Sequence, residues 1–195
     1  RLLTSGLCGA QLQEIAGLKG NEKFMPHLLG HEGCGIVEDL GEDVSKVKKG
    51  DKVVMHWRKG SGIEANFAKY SWNEREISGG KVTTLAEEVV ISENRVTPVD
   101  KDIDSEFCSL LGCGLSTGFS VINKDANIKF GETVLVVGCG GVGLSAIMIA
   151  KAQGANVYAI DINDDALEIA DSLGAQTINS KNTDPVAFLQ NLGGV

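Results

Sequence analysis

The sequence has little of what membrane, secreted and nucleic-acid-binding proteins need. Its 195 residues include only five cysteines, an odd and scattered set that argues against a disulfide framework and for a reducing compartment. No apolar run approaches the roughly 20 residues that span a bilayer, and no secretory pattern opens the chain. The formal net charge of −8 gives no basic excess for nucleic acid or an anionic membrane surface. We therefore expect a cytoplasmic protein with neither a nucleic-acid nor a membrane partner.

An initiating methionine is also missing, because the chain begins at Arg1. The composition, 43% hydrophobic and 23% charged, is that of an ordinary globular protein. A chain of this length forms one large domain or two smaller ones. We expect a fragment of a longer protein, cut at both ends and inactive by itself.

The first half of the chain is predicted to be rich in β-structure. Short β-branched runs alternate with Gly and Asp turns, which is typical of a small barrel or sandwich. Strands are expected over 35–40, 53–57 and 85–91, followed by an extended stretch over 95–99. Residues 60–80 mix glycine, serine, charges and aromatics, and are predicted to form a long irregular loop.

From Asp102 onward the apolar period becomes helical. A helix capped by Asp102 or Asp104 is expected to end before Gly112, with a second helix over 116–123. A βαβ pattern follows, with strands over 133–137, 156–160 and 176–179 and helices over 144–153 and 164–173. The last helix is predicted to turn four side chains inward: Leu167, Ile169, Ala170 and Leu173.

A glycine motif lies between the first strand and helix of this βαβ pattern. Gly138 permits the tight turn, Gly140 lets the backbone approach a pyrophosphate, and Gly143 lets the helix pack closely on the strand. The helix N-terminus then offers N–H groups and a positive dipole end to the phosphates. The sequence therefore predicts a dinucleotide site.

Asp161 ends the next strand, where a carboxylate can accept hydrogen bonds from the ribose hydroxyls. It repels a 2′-phosphate, and no arginine follows within the next several residues. We therefore predict NAD rather than NADP as the cofactor.

Three potential metal ligands, Cys8, His31 and Cys113, are flanked by glycine and lie far apart in the sequence. Two thiolates and one imidazole would form a three-ligand zinc site with an open fourth position, as a catalytic zinc needs. Spacing alone leaves the alternative open, because scattered cysteines are usually small buried residues and a histidine in a turn is often simply hydrogen-bonded.

These motifs resemble those of the medium-chain dehydrogenase/reductase family, in particular its zinc-containing alcohol dehydrogenases. The resemblance rests on the zinc signature Gly30-His31-Glu32-x-x-Gly35 with Gly41 and Val44, on Val47-x-x-Gly50-Asp51-x-Val53-Val54, on the segment 111–119, and on Gly138 to Gly143 with Asp161-Ile162-Asn163. They occur in order and cover nearly the whole chain. The resemblance implies a GroES-like β-barrel catalytic domain over 1–118 and a truncated Rossmann doubly wound NAD-binding domain over 119–195.

The resemblance also implies roles for individual residues. Cys8, His31 and Cys113 would ligate one catalytic zinc, and Glu32 would orient His31 or briefly enter the zinc sphere. Cofactor contacts would come from Thr117, Gly138, Gly140, Gly141, Val142, Gly143 and Asp161. The reaction would transfer a hydride between an alcohol or polyol, or its carbonyl product, and NAD. The full-length form would be a homodimer or homotetramer.

The chain departs from the family at two places. Ala10 stands where the family has a hydroxyl that relays the substrate proton, and Gln11 stands where it has aspartate. Ser116, His56 or a water would then have to relay the proton, or the substrate differs from simple alcohols. No cysteine occurs between Cys34 and Cys108, so the four-cysteine structural-zinc lobe is absent and one zinc per chain is expected.

Other side chains are given simpler interpretations. Cys34 and Cys108 are predicted to lie in the core, and Cys139 to have no role. His27 and His56 are taken as ordinary polar residues. Trp57 and Trp72 are predicted to pack in the core or on the surface, with a place in a substrate pocket left open.

Two other functions remain open at this point. The first is a zinc-free reductase of activated double bonds from the same family, which the presence of all three ligands disfavours. The second is a non-catalytic dinucleotide-binding relative, which Ala10 weakly favours. The interpretation we carry forward is a zinc- and NAD-dependent oxidoreductase.

Overall fold

A computed structural model describes residues 1–19 and 25–191, in two compact units, Arg1–Cys113 and Gly114–Val195. The division falls after residue 113 rather than after residue 118, where the sequence analysis set its domain boundary. The reason is local, since Gly118 packs on Ser145 of the second unit so closely that an added Cβ would lie 2.7 Å from the serine Cβ. The expected order, a β-rich unit followed by an α/β unit, is confirmed.

The first unit is built on a four-stranded antiparallel sheet in the order β1-β2-β3-β6. Its strands are β1 (Leu2–Ser5), β2 (Glu32–Ile36), β3 (Lys52–His56) and β6 (Val96–Val99), and a helix α1 (Gly9–Ile15) follows β1. Val47, Val53, Met55 and Val96 form the core of this unit. Neither β1 nor α1 is among the elements that the sequence analysis predicted.

Three predictions for the first unit differ from the structure. The strand expected over 35–40 lies at Glu32–Ile36 instead. The segment 60–80 contains a hairpin, β4 (Lys69–Trp72) and β5 (Arg75–Ser78), whose turn residues Asn73 and Glu74 both have positive φ. The segment 85–91 is not a strand. Its side chains Val89 and Ile91 pack against the core without joining a ladder, so their apolar character reflects burial alone.

The helix α2 (Ser105–Leu110) confirms the predicted period change, and Asp104 is its cap, accepting a hydrogen bond from the Phe107 N–H at 2.8 Å. Cys34 of β2 and Cys108 of α2 are fully buried, as predicted. Burial raises the pKa of the Cys34 thiol, which keeps it protonated and unreactive.

Carboxylates anchor the irregular segments on either side of β3. Buried Glu93, in a short 3₁₀ turn (Glu93–Arg95), accepts hydrogen bonds from the N–H groups of Ser45, Lys46 and Ile63 at 2.6–2.8 Å. These bonds lower the pKa of Glu93 from 4.5 to about 2. The carboxylate therefore ties the segments around residues 45 and 63 to the start of β6.

Glu64 is the second anchor. It pairs with Arg95 at 3.0 Å, with Lys59 at 2.9 Å and with Lys81, and these contacts lower its pKa from 4.5 to about 2. The sequence analysis expected an irregular loop at residues 60–80, where the family has its structural-zinc lobe. This ionic network holds that segment in place.

The second unit is a parallel sheet with helical crossovers. Its strands β7 (Thr133–Val137), β8 (Asn156–Asp161) and β9 (Gln176–Asn179) lie in that order and alternate with helices α4 (Gly141–Ala152) and α5 (Asp164–Ser172). A helix α3 (Gly114–Ser120), continued by a π-helical turn (Val121–Asp125), precedes them, and α6 (Pro185–Asn191) follows. The predicted βαβ pattern is confirmed.

The core of this unit shows where the helical prediction fails. Leu167 and Ala170 are buried and Leu173 packs against them, but Ile169 is 51% exposed. Ile169 lies two positions after Leu167, about 200° around the helix at 3.6 residues per turn, so it points away from the sheet. Among the described residues, no helix is both long and apolar enough to cross a membrane.

Acid should weaken the first unit through Glu93 and Glu64. Both carboxylates have a folded pKa below the unfolded value, so their contribution is complete above about pH 4.5 and is lost as the pH falls toward 2. The Glu93→Gln variant should lose unfolding free energy at pH 7 and show a shallower decline on acidification. Urea unfolding between pH 7 and pH 3 measures this, with exposed Glu42→Gln as control. A decline as steep in Glu93→Gln as in the wild type would contradict the assignment.

Candidate metal centre and dinucleotide loop

Three side chains distant in sequence converge in the first unit. One ligand atom from each of Cys8, His31 and Cys113 lies within 4.8 Å of the other two, and all three residues are half-buried. They come from the start of α1, the residue before β2 and the segment after α2. The three candidate ligands predicted from the sequence are therefore neighbours in space.

Cys8 is held by the helix that it begins. It is the N-terminal cap of α1, and its backbone N–H donates to the Gln11 Oε1 at 3.2 Å. Gln11 is only 2% exposed, and its Nε2 also contacts the Nδ1 of His31. One buried amide therefore links two of the three candidate ligands. The sequence analysis noted Gln11 only as a departure from the family and missed this contact.

His31 follows a glycine whose geometry no other residue would adopt easily. Gly30 has a φ of +95°, and an added Cβ would lie 2.4 Å from the Thr84 hydroxyl oxygen. Burial lowers the pKa of His31, while the neighbouring Glu32 acts in the opposite direction. A neutral imidazole is the form that offers a lone pair to a metal. Because Gln11 contacts Nδ1, Nε2 is the ring nitrogen available to bind a metal.

Cys113 owes its position to the glycine before it. An added Cβ on Gly112 would lie 2.3 Å from the Met55 carbonyl oxygen and 2.8 Å from the Glu32 Cα. Only a glycine therefore allows the chain after α2 to pass so close to strands β2 and β3. This close approach brings Cys113 to His31.

The Glu32 carboxylate lies outside the group of three. The residue is 3% exposed, and its side chain fills the space that a side chain on Gly6 would need, at 2.7 Å from the would-be Cβ. Glu32 therefore packs directly behind the group, next in sequence to His31, and does not extend it to a fourth ligand.

The donor set fits zinc. Two thiolates and one imidazole are the soft and intermediate ligands that zinc prefers, and three protein ligands leave the open position that a catalytic zinc needs. Within the described residues this is the one cluster of histidine, cysteine and acidic side chains close enough to hold a metal ion.

A cavity of about 350 Å³ opens beside His31. Trp57 and Phe67 contribute to its wall, together with His27 and Glu14, whose Nε2 and Oε1 lie 2.8 Å apart. Sequence reasoning missed this pair, because nothing in a linear pattern links positions 14 and 27. Trp72, by contrast, is 64% exposed and does not line the cavity.

The glycine loop of the second unit matches its sequence prediction closely. Gly138 follows β7 with a φ of +96°, and Gly140 caps α4. An added Cβ on Gly143 would lie 1.8 Å from the Gly138 carbonyl oxygen, so helix and loop are in direct contact there. Added side chains on Gly140 and Gly141 would meet nothing within 4 Å, which leaves open space above the helix N-terminus.

Asp161 closes this loop from the next strand. Its Oδ2 accepts from the Cys139 N–H at 2.6 Å, and its Oδ1 accepts from the N–H groups of Ile162 and Asn163 at 2.6 and 2.9 Å. These bonds lower the pKa of Asp161, the Cys139 bond most of all. Each oxygen has two lone pairs, so one acceptor position remains, on Oδ2.

The other predicted cofactor residues lie in the same unit. Thr117 is half-buried on α3, and Val142 is 41% exposed in the first turn of α4. Cys139 is 2% exposed, with its thiol pKa raised by burial, which agrees with a side chain that has no chemical role.

Two family models match separate parts of the chain. Residues 1–101 match the family model described as the alcohol dehydrogenase GroES-like domain, and residues 141–195 match that of the zinc-binding dehydrogenase. Alcohol dehydrogenase 6 of Peromyscus maniculatus is 37% identical over 201 residues, covering 90% of this chain and 53% of that protein. An alcohol dehydrogenase of Moraxella sp. (strain TAE123) is 35% identical over 205 residues, covering all of this chain and 59% of that protein.

A solved structure resembles the whole chain. Zinc dependent alcohol dehydrogenase 2 from Streptococcus pneumonia, in its apo form, aligns with a TM-score of 0.80 and 26% identity over 99% of this chain and 57% of that one. The chain thus spans between half and three fifths of the length of the relatives it matches. By its family models, its relatives and its fold, this chain belongs to the zinc-containing alcohol dehydrogenases of the medium-chain dehydrogenase/reductase family.

Proposed function

We propose that this chain carries the metal centre and the dinucleotide loop of a zinc- and NAD-dependent alcohol dehydrogenase. The observation that carries the proposal is the convergence of Cys8, His31 and Cys113 within 4.8 Å. Zinc, when bound, supplies the Lewis acid that polarises the oxygen of an alcohol or carbonyl. The reaction is reversible hydride transfer between the alcohol carbon and C4 of the nicotinamide.

The chain's own residues do the positioning. Cys8 and Cys113 provide thiolates, and His31 provides Nε2 while Gln11 contacts Nδ1. The Gln11 amide, whose Oε1 accepts from the Cys8 N–H and whose Nε2 contacts His31 Nδ1, holds these two candidate ligands relative to each other. Glu32, buried behind the group, adds a negative charge next to two thiolates and favours a dication in the site.

The second unit supports the NAD assignment. The N–H groups at the start of α4 offer donors to the pyrophosphate, above the open space at Gly140 and Gly141. The remaining lone pair on Asp161 Oδ2 can accept one ribose hydroxyl. Thr117 and Val142 are proposed to contact the nicotinamide end.

A zinc-free reductase is the weaker candidate, because it would have no use for three converging ligands. The proton path at Ala10 remains the point of difference from the family. His56 is a poor substitute, since its Nδ1 contacts the Arg58 carbonyl at 2.7 Å and its Nε2 contacts the Thr97 hydroxyl at 3.0 Å. Both ring nitrogens are therefore engaged within the first unit.

The finer assignments are proposals of the same kind. They are one catalytic zinc without a structural zinc, a small-molecule alcohol, polyol or carbonyl substrate, a homodimeric or homotetrameric full-length form, and a cytoplasmic location. The lack of cysteines between Cys34 and Cys108 supports the zinc count, and the scattered, odd cysteine set supports the location.

Metal analysis tests the centre. The native full-length protein should hold one zinc per chain. Cys8→Ser and Cys113→Ser should each weaken zinc binding by at least about 100-fold, since even the loss of an outer contact costs about 10–100-fold. Cobalt substitution should give thiolate charge-transfer absorption that each variant weakens, whereas Cys139→Ser should keep both signals. Two zincs per chain, or full zinc retention in the Cys8→Ser variant, would refute the assignment.

Cofactor choice should follow Asp161. We expect NAD to bind at least about tenfold more tightly than NADP, a difference of about 1.4 kcal/mol, because the carboxylate opposes a 2′-phosphate. Asp161→Ser should narrow the difference, since it removes that charge while Lys181 remains nearby. Fluorescence titration with both nucleotides measures the ratio. Equal affinities in the wild-type protein would remove the inference.

Two glycines of the loop should respond differently to alanine. Gly140→Ala should lower the unfolding temperature only slightly, because its Cβ meets nothing and only the N-cap of α4 is weakened, yet it should weaken NAD binding by about tenfold or more as the methyl enters the pyrophosphate space. Gly143→Ala should lower the unfolding temperature itself, because its Cβ collides with the Gly138 carbonyl. Thermal unfolding paired with NAD titration separates the two. Unchanged NAD binding in Gly140→Ala would contradict the placement of the pyrophosphate.

A further inference from the structure

The cavity beside His31 has a polar wall that the proposed chemistry does not use. Glu14 and His27 lie on this wall with side chains only 13% and 12% exposed, and Oε1 of Glu14 lies 2.8 Å from Nε2 of His27. The Nδ1 of His27 contacts the Leu28 carbonyl oxygen at 2.8 Å and must donate to it. The imidazole is therefore fixed, and it orients the carboxylate toward the cavity.

The second oxygen of Glu14 keeps its acceptor capacity. Its nearest cation among the described residues is the Lys19 ammonium, 3.7 Å from Oε2, which is beyond hydrogen-bond distance. No described residue donates a hydrogen bond to Oε2, so this half-buried oxygen can accept one from a group that enters the cavity. Lys19 offers further donors at the same wall.

The free oxygen of Glu14 determines which kind of group can bind beside it. The Glu14 carboxylate lies between His27 and Lys19. An anionic group placed at Oε2 would be repelled by the negative charge of that carboxylate. An alkyl chain would cover Oε2 without giving it a hydrogen bond. A hydroxyl group suits both neighbours, because it can donate a hydrogen bond to the Glu14 Oε2 while it accepts one from the Lys19 ammonium.

The rest of the wall suits a compact hydroxylated carbon chain. Trp57 and Phe67 offer aromatic surfaces to C–H groups, and the volume of about 350 Å³ is at the small end of ligand pockets. His31 and its partner Gln11 also line this cavity, so a molecule that enters it can contact both a candidate metal ligand and the Glu14–His27 pair.

We propose that the Glu14–His27 pair is a specificity-determining element that binds a second hydroxyl of the substrate, so that the enzyme selects polyhydroxylated alcohols over simple alkyl alcohols. This inference rests on the proposed function and narrows its substrate class. In it Glu14 accepts the hydrogen bond of the second hydroxyl, and His27 holds Glu14 in place.

The test compares four-carbon substrates in the native full-length protein with NAD. We expect kcat/KM for the best of the butanediols and erythritol to exceed that for 1-butanol by at least about tenfold, because an unpaired buried acceptor discriminates strongly. Glu14→Leu should lower this ratio by at least about tenfold, and Glu14→Gln, which keeps an acceptor, should lower it less. Glu106→Leu, on the exposed start of α2, is the matched control and should keep the wild-type ratio.

A ratio near one in the wild type would overturn the inference while leaving alcohol oxidation established. A Glu14→Leu variant that loses activity on 1-butanol and on the polyols by the same factor would also overturn the inference, since an equal loss marks a purely structural role. If no alcohol is oxidised, the proposed function fails, and binding decides this inference separately. Saturation-transfer NMR should then detect erythritol on the wild type but not on Glu14→Leu, and equal signals from both proteins would overturn it.

Discussion

Gly112 passes so close to strands β2 and β3 that no side chain fits at this position. A Cβ there would lie within 3 Å of the Met55 carbonyl oxygen and of the Glu32 backbone. Cys113 follows at once, so this contact fixes the distance between the thiol and His31. The metal centre therefore depends on a packing constraint in the sheet as much as on its ligands. A bulkier residue at 112 would move Cys113 away from the other two ligands without altering any of them.

Close packing of the same kind explains the residues around Glu32. Gly6 and Gly112 leave the space that the Glu32 side chain fills, and both glycines stand within two residues of a candidate ligand. A metal dication held by the three candidate ligands would lie near this carboxylate and interact favourably with its negative charge. The two glycines therefore make room for the Glu32 carboxylate, and the carboxylate in turn lies next to a candidate metal ligand.

Features with a local physical cause were predictable from the sequence, and features formed across the chain were not. Asp104 caps a helix three residues away, and the turn at Gly138 is set by its own φ, so a short window suffices for both. The strand expected over 85–91 failed because Val89 and Ile91 are buried by packing and not by pairing. The hairpin at 69–78 was missed because its turn uses Asn73 and Glu74 at positive φ rather than glycine.

The candidate site shows the same difference between what could and what could not be predicted from the sequence. The ligand types and the glycines could be read from the sequence, but their convergence depends on contacts between distant segments. Gln11 and Glu14 stand one helical turn apart on α1, and they contact His31 and His27, which are four residues apart on the facing segment. One face of a short helix therefore supports both a metal ligand and the polar wall of the cavity. Any change that shifts α1 should therefore disturb the candidate metal centre and the polar wall of the cavity together.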